Sequence, residues 1–562
     1  MSRLSRARYA SIYGPTTGDL LRLGDTDLWV RVEADDTEPG DELLGGCGKT
    51  ARDGLLVTGR APRDSALDMV VLGVVVIDPL IGVRKTSIGI KDGRVVGVGR
   101  AGNPDTTDGV ELVVDSHTAM ITGEGLVATP GVVDSHVHLS SPEVAPAALA
   151  AGVTSLVGMG IGGVWDVGAN PAPNLHTLID AWRDTPVNAA FLARGSTSSP
   201  ELLERAVLAG AGGFKIHEDW GATPRIVDTC LGVADDVDLP VALHTDTLNE
   251  SGALADTLSA TRGRTVHAYH VEGGGGHADL LQVVSEAHVL TSSTTPTLPL
   301  TGATVDELLP MTLTVHRGHR GIDSDVSIAS SRVREHGIAA ENALHDLGAI
   351  SIVNSDSMGM GRIAETARRT WQLAHVQAHL AGQAGPEHVN NERVLRYLAK
   401  VTVNPAIAHG MAHEVGSLAP GRLADVVLWH PATFGTAPEL VLKSGFVAWG
   451  TSGSGSGSTR LTQPRVLRPY FGGLGAAPRR LSRVFVSEQC LADPDARRAL
   501  PEGVRYAAIR ASRGLTSADM VANAALPAVT VPTEPGPVLV DGRPVPVHRA
   551  SDLPLTRLHH LA

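Results

Sequence analysis

The chain has 562 residues, 43% hydrophobic and 19% charged, with 63 Gly and 34 Pro, a composition that supports large buried cores and excludes disorder as the main state. Its 47 basic and 60 acidic residues give a formal charge of −13 with no dense Lys/Arg run, which argues against a nucleic-acid or anionic-membrane partner. Cys47, Cys230 and Cys490 are too scattered for a disulfide framework or a thiolate metal cluster. Met1 to Asp19 lacks a secretion-signal core and no run of about 18 uncharged apolar residues occurs, so a cytoplasmic protein is expected.

Residues 1–128 read as a β-rich domain. Val70 to Ile77 is a continuous apolar β-branched run, and Thr86 to Val98 alternates around the turn Lys91-Asp92-Gly93, a hairpin signal. Residues 129–415 change to short apolar strands separated by helical patterns. Eight strands are expected, in HVHLS near 136, GVTSLVGMG near 152, NAAFLARG near 188, GGFKIHED near 212, PVALHTDT near 240, TVHAYHVEG near 265, HVLTSS near 288 and AISIVNSD near 349. Among the helices, Pro200 to Ala209 and Arg225 to Ala234 are clearest, the latter opened by Thr223 as N-cap with Pro224 at the first helical position. Eight such units predict an α/β fold built on a (β/α)8 TIM-type barrel. Strand-like alternation returns in Gly416 to Trp429 and Leu440 to Trp449, so residues from about 416 to 465 are expected to complete the N-terminal part as a β-sandwich-like domain. Thr451 to Ser458 is a Gly/Ser loop, and residues 466–562, rich in Pro and Arg, read as a surface-wrapping extension without a catalytic cluster.

Barrel chemistry sits at the C-terminal ends of strands. His136 and His138 lie two apart on the first strand and share a face, a spacing that gives one metal two imidazoles or, equally, a polar barrel lining. Lys215 ends the fourth strand, with His217 on the same face. In a chain whose basic residues are nearly all Arg, a buried lysine must be paired with Glu218 or Asp219, neutralised, or converted by carbon dioxide into a carbamate that bridges two metals. His244, His270 and Asp356 end strands five, six and eight. Each alone is ordinary; together they make a nitrogen and oxygen set for two divalent ions, with zinc, nickel, manganese and iron all admissible. Two ions about 3.5–4 Å apart polarise a carbonyl, activate water and clamp developing charge, which points to hydrolysis of a C–N or C–O bond. His316, in a Gly- and His-rich loop within a flap at about 310–337, is the candidate proton donor; Arg332 would keep its pKa low and Asp219 would orient its ring.

These motifs resemble those of the urease alpha (catalytic) subunits, a branch of the amidohydrolase superfamily, over nearly the whole chain. The resemblance rests on YGPTTGDLLRLGDTDLWV (Tyr13 to Val30), DSHVH (Asp134 to His138), KIHEDWGATP (Lys215 to Pro224), HTDTLNESG (His244 to Gly252), GRTVHAYHVEG (Gly263 to Gly273), SRVR (Ser331 to Arg334), HDLGA (His345 to Ala349), SDS (Ser355 to Ser357) and HGMAHEVGSL (His409 to Leu418). It implies nickel-dependent hydrolysis of urea to ammonia and carbamate. One nickel would be bound by His244 and His270, the other by His136, His138 and Asp356, with carbamylated Lys215 as the bridge. It further implies that His217 hydrogen-bonds the urea carbonyl, that Ala169, Gly275 and Gly359 lie against substrate, and that His316 is the general acid tuned by Asp219 and Arg332. Implied partners are beta and gamma subunits and accessory nickel-delivery proteins.

Three departures stand out. Val315-His316-Arg317-Gly318-His319 occupies the place of the family's Cys-His-His-Leu-Asp, so the histidine survives without the adjacent thiol. Val164 to Pro173 replaces a Thr- and Cys-containing segment, and Gly359 replaces an alanine. The competing readings are another binuclear amidohydrolase, with zinc and a cyclic or linear amide substrate, and a catalytically weakened paralogue. The second predicts a missing ligand, and the full set is present.

Overall fold

The computed structural model describes residues 4–43, 49–60, 64–159, 172–217, 221–244, 254–272, 278–453, 464–533 and 536–556. The Val/Ile-rich strand Met69–Asp78 is buried along its whole length because both of its faces pack. Val71, Val74 and Val76 enter one apolar cluster, whereas Val70 and Leu72 enter another on the opposite face. The strand pairs antiparallel with Gly82–Lys91, which turns at Asp92 and Gly93 into Arg94–Gly99. Both turn residues have positive φ, 51° and 76°, as a two-residue hairpin requires.

Val127–Pro130 runs parallel to Met69–Asp78 and antiparallel to Val426–Trp429, from the far side of the barrel. Strands before and after the barrel therefore share one ten-stranded sheet. The expected alternation over Leu440 to Trp449 is two strands, Leu440–Lys443 and Phe446–Ser452, folded back at Ser444 and Gly445. An alternating pattern does not register a reversal of direction; the positive φ of those two residues, 43° and 75°, makes it. Within Gly416 to Trp429, only Val426–Trp429 forms a strand.

The eight barrel strands fall where the sequence places them. They are β1 (Val132–His138), β2 (Val153–Met159), β3 (Asn188–Phe191, resumed by Ala193–Arg194), β4 (Phe214–Ile216), β5 (Val241–His244), β6 (Val266–Tyr269), β7 (Val289–Thr294) and β8 (Ile352–Asn354). Each is parallel to the next. A parallel bridge between Val137 and Ser357 closes the ring, and the His138 amide donates to the Ser357 carbonyl at 2.9 Å. The fold is thus an α/β TIM-type barrel joined to a separate β-rich N-terminal domain. Helix α1 (Pro224–Val237) begins as expected, its Ile226 amide donating to the Thr223 hydroxyl at 3.4 Å with proline at the first position. Helices α2 (Thr304–Val315), α3 (Asp323–Arg332) and α4 (Thr366–Leu380) flank β8 in sequence. Among the described residues, no helix is long and apolar enough to cross a membrane.

The C-terminal part does more than wrap the surface. Val484–Ser487 lies parallel to the first segment of β3, and Tyr506–Ile509 lies parallel to it in turn. Val484, Phe485 and Val486 are buried in the barrel's own core cluster. Four apolar and β-compatible residues in a Pro- and Arg-rich text are too short a run for periodicity to expose.

Candidate metal centre

The centre is built outward from β1, which carries Asp134, His136 and His138 and whose pairing with β2 shifts register between Asp134 and Val137. Asp134 accepts from the His136 amide at 3.2 Å, the Ser355 amide at 3.1 Å and the Thr366 hydroxyl at 2.8 Å, so one carboxylate ties β1 to the end of β8 and the start of α4. Burial pushes its pKa up to about 6 against the pull of those bonds.

His136 Nε2 and His138 Nε2 lie 3.3 Å and 3.2 Å from Asp356 Oδ1, and all three side chains are buried. Burial, reinforced by the charges of Lys215, His270, His138 and His244, holds His136 well below the usual imidazole range. Burial opposes ionisation of Asp356, but the His138 hydrogen bond and the charges of His138, His270 and His244 bring it below its ordinary value. His136 is therefore a neutral imidazole facing the Asp356 carboxylate, and one ligand atom from each of the three residues lies within 4.8 Å of the others. Asp356 and His270 both have positive φ, 53° and 35°, non-glycine conformations that persist where the surroundings enforce them.

The other donors adjoin this trio. The His270 ring lies 5.5 Å from His136 and 4.4 Å from His244, and His244 stacks on His217 at 3.9 Å. Lys215 is 1% exposed, with Nζ 3.8 Å from the Tyr269 ring centroid. Tyr269 stacks on His136 at 3.8 Å and donates its hydroxyl to the Ser135 carbonyl at 2.6 Å. The structure thus brings together His136, His138, Lys215, His217, His244, His270 and Asp356. Buried imidazoles in this number cannot all be protonated, and among the described residues His136 Nδ1 and His138 Nδ1 have no hydrogen-bond partner. Such a donor set fits divalent cations.

His316 ends α2 half-buried, with Nδ1 2.9 Å from the Thr312 carbonyl, and Arg332 is the half-buried last residue of α3. Ala169, Asp219 and Gly275 lie outside the described residues. Gly359 sits directly against the trio. A Cβ there would fall 2.4 Å from Asp356 Oδ1 and 3.0 Å from His138 Nε2. The sequence reading missed Asp134, Tyr269 and Thr366. The first two were legible as strand neighbours of a candidate ligand, Asp134 at two residues from His136 and Tyr269 directly before His270; Thr366 carries no local signal.

Buried imidazole and carboxylate donors at the strand ends of a parallel barrel define an amidohydrolase-type metal centre. Consistently, residues 127–459 match the amidohydrolase family and residues 2–121 the N-terminal domain of urease alpha subunits. The chain is 48% identical to urease subunit alpha 1 of Streptomyces avermitilis over 98% of its own length and 99% of that protein. It is 46% identical to the urease subunit alpha of Sulfurisphaera tokodaii, with both chains covered completely. A D-hydantoinase (dihydropyrimidinase) structure from Thermus sp. aligns at 15% identity and a TM-score of 0.46, covering 68% of this chain and 95% of that one. The chain belongs to the urease alpha-subunit family, and with it to the metal-binding amidohydrolases.

Proposed function

We propose that this chain hydrolyses urea to ammonia and carbamate at a two-nickel centre. His244 and His270 would hold one ion, His136, His138 and Asp356 the other, and Lys215, carbamylated on Nζ, would bridge them. When bound, the pair of ions would polarise the urea carbonyl and make a water nucleophilic near neutral pH. The protein does the rest. His217 donates to the carbonyl oxygen as negative charge develops on it. Carbonyl groups at Ala169 and Gly359 receive urea amide hydrogens, with Gly275 or a neighbouring glycine near the substrate, and so fix its plane. His316 gives a proton to the departing nitrogen, with Asp219 and Arg332 positioning and tuning it. Tyr269 shields Lys215 and His136 from water, and Asp134 fixes the spacing of β1 and β8 on which the ligands ride.

The observation that supports this reading best is the convergence of seven side chains from the ends of five strands, with Lys215 buried among imidazoles. Domain limits of 1–128 with about 416–465, 129–415 with a flap at about 310–337, and 466–562 go with it, as do beta and gamma subunits, accessory nickel-delivery proteins and a cytoplasmic location. The test is ion content and ammonia release in protein made with its accessory factors. Lys215→Ala is expected to lose most of its metal and nearly all urea hydrolysis, with partial return in bicarbonate and a short carboxylic acid. Full metal retention by that variant, or zinc with turnover of a cyclic amide instead of urea, overturns it.

A further inference from the structure

A second trio of donors joins α4 to an N-terminal turn, away from the candidate ligand cluster in the chain. His375 and His379 are one helical turn apart, so their rings leave the same face, with centroids 4.5 Å apart and planes at 66°. The turn between strands Leu20–Arg22 and Trp29–Arg31 packs against that face and presents Asp27. Asp27 Oδ2 lies 2.9 Å from His379 Nε2, and the Asp27 amide donates to His375 Nδ1 at 3.1 Å. Arg22 occupies the other carboxylate oxygen, Oδ1, at 3.1 Å, which leaves Oδ2 to the imidazoles. One ligand atom from each of the three residues falls within 4.8 Å of the others.

We propose that Asp27, His375 and His379 form a peripheral site for a divalent first-row transition cation, separate from the barrel centre. Two imidazoles and one carboxylate, without a thiolate, suit zinc, nickel, cobalt or copper, and three protein ligands leave a tetrahedral position for water. With bonds of about 2.0–2.1 Å, neighbouring ligands of a tetrahedral ion stand roughly 3.3 Å apart. The His379 to Asp27 distance of 2.9 Å is just inside that spacing, so small side-chain movements suffice. Ligation through His375 Nδ1 displaces its bond to the Asp27 amide. The ion would fasten the hairpin of residues 20–31 to α4, whose first residue, Thr366, holds Asp134 behind the β1 ligands.

The experiment uses the enzyme with its catalytic ions already loaded, dialysed against zinc ion at free concentrations up to about 100 μM. Wild type is expected to take up one further zinc per chain, and His379→Gln and Asp27→Asn to bind it roughly tenfold or more weakly. Both variants should keep urea hydrolysis and catalytic metal content after the extra zinc is removed, because neither residue belongs to the barrel centre. Hydrogen exchange of residues 20–31 should slow with zinc in wild type alone. No further uptake by wild type, or equal uptake by both variants, overturns the site. These outcomes are independent of what happens at Lys215.

Discussion

Two His, His, Asp trios differ in how their donors are spaced and in how much water reaches them. His136 and His138 stand two apart on a strand and meet Asp356 in a fully buried mouth. His375 and His379 stand four apart on a helix and meet Asp27 where His379 is 51% and Asp27 35% exposed. Burial changes what the same residue types do. Inside, desolvation drives His136 towards neutrality while neighbouring charges keep Asp356 ionised, so the donors are poised for a cation and costly to leave incomplete. Outside, Arg22 and solvent screen Asp27, and an exposed contact of this kind is worth about 1 kcal/mol or less.

The largest effect should follow removal of a donor from the buried trio. Asp356→Ala is expected to lower urea turnover on the order of 10³-fold, with loss of bound metal measured by elemental analysis; near-normal turnover would erase the contrast between the trios. Next comes crowding. Gly359→Ala places a methyl group against Asp356 and His138, and a roughly 10- to 100-fold loss of metal retention is expected in chelator competition. This is the residue that the family resemblance implies at the position, so unaltered retention would mean that the loop after Asp356 holds the ligand differently.

A buried histidine outside the trio tests the effect of burial by itself. His409, whose Nε2 lies 2.9 Å from His267 Nδ1, is held by burial at about 3. Its folded pKa is depressed, so the unfolded chain binds the proton more readily. Stability from this group is complete above about pH 6.5 and lost as pH falls towards 3, about 2 kcal/mol by pH 5. His409→Gln should reduce the drop in unfolding midpoint between pH 7.5 and 5.0, and an undiminished drop would count against burial as the cause. The smallest change is expected from Val315→Cys, half-buried beside His316 at the end of α2. Turnover should stay within about twofold while thiol-blocking reagents begin to inhibit, and unchanged reagent sensitivity would mean that this helix end does not cover the centre.

Much of the barrel was legible because its strands are short apolar runs between helical patterns, and because six candidate ligands fall near strand ends. The centre was legible in part for the same reason. His136, His138, Lys215, His244, His270 and Asp356 each lie within two residues of the C-terminal end of a short apolar strand. What escaped depends on contacts between distant segments. Thr366 reaches Asp134 across 232 positions, and Val484–Ser487 pairs with β3 only once the barrel has formed. The reversal at Ser444 and Gly445 escaped because strand alternation is the same on either side of a turn.

The placement of Val484–Ser487 beside β3 also constrains the order of assembly. A ribosome delivers residues 188–191 long before their neighbour at 484–487, and the strand Met69–Asp78 waits still longer for Val426–Trp429 to complete its sheet through Val127–Pro130. During synthesis both edges stay open, offering unsatisfied amides and apolar side chains to any passing chain. Production of soluble enzyme should therefore depend on chaperone supply and translation speed, and a chain stopped before residue 484 should be lost to aggregation rather than accumulate as an unloaded barrel.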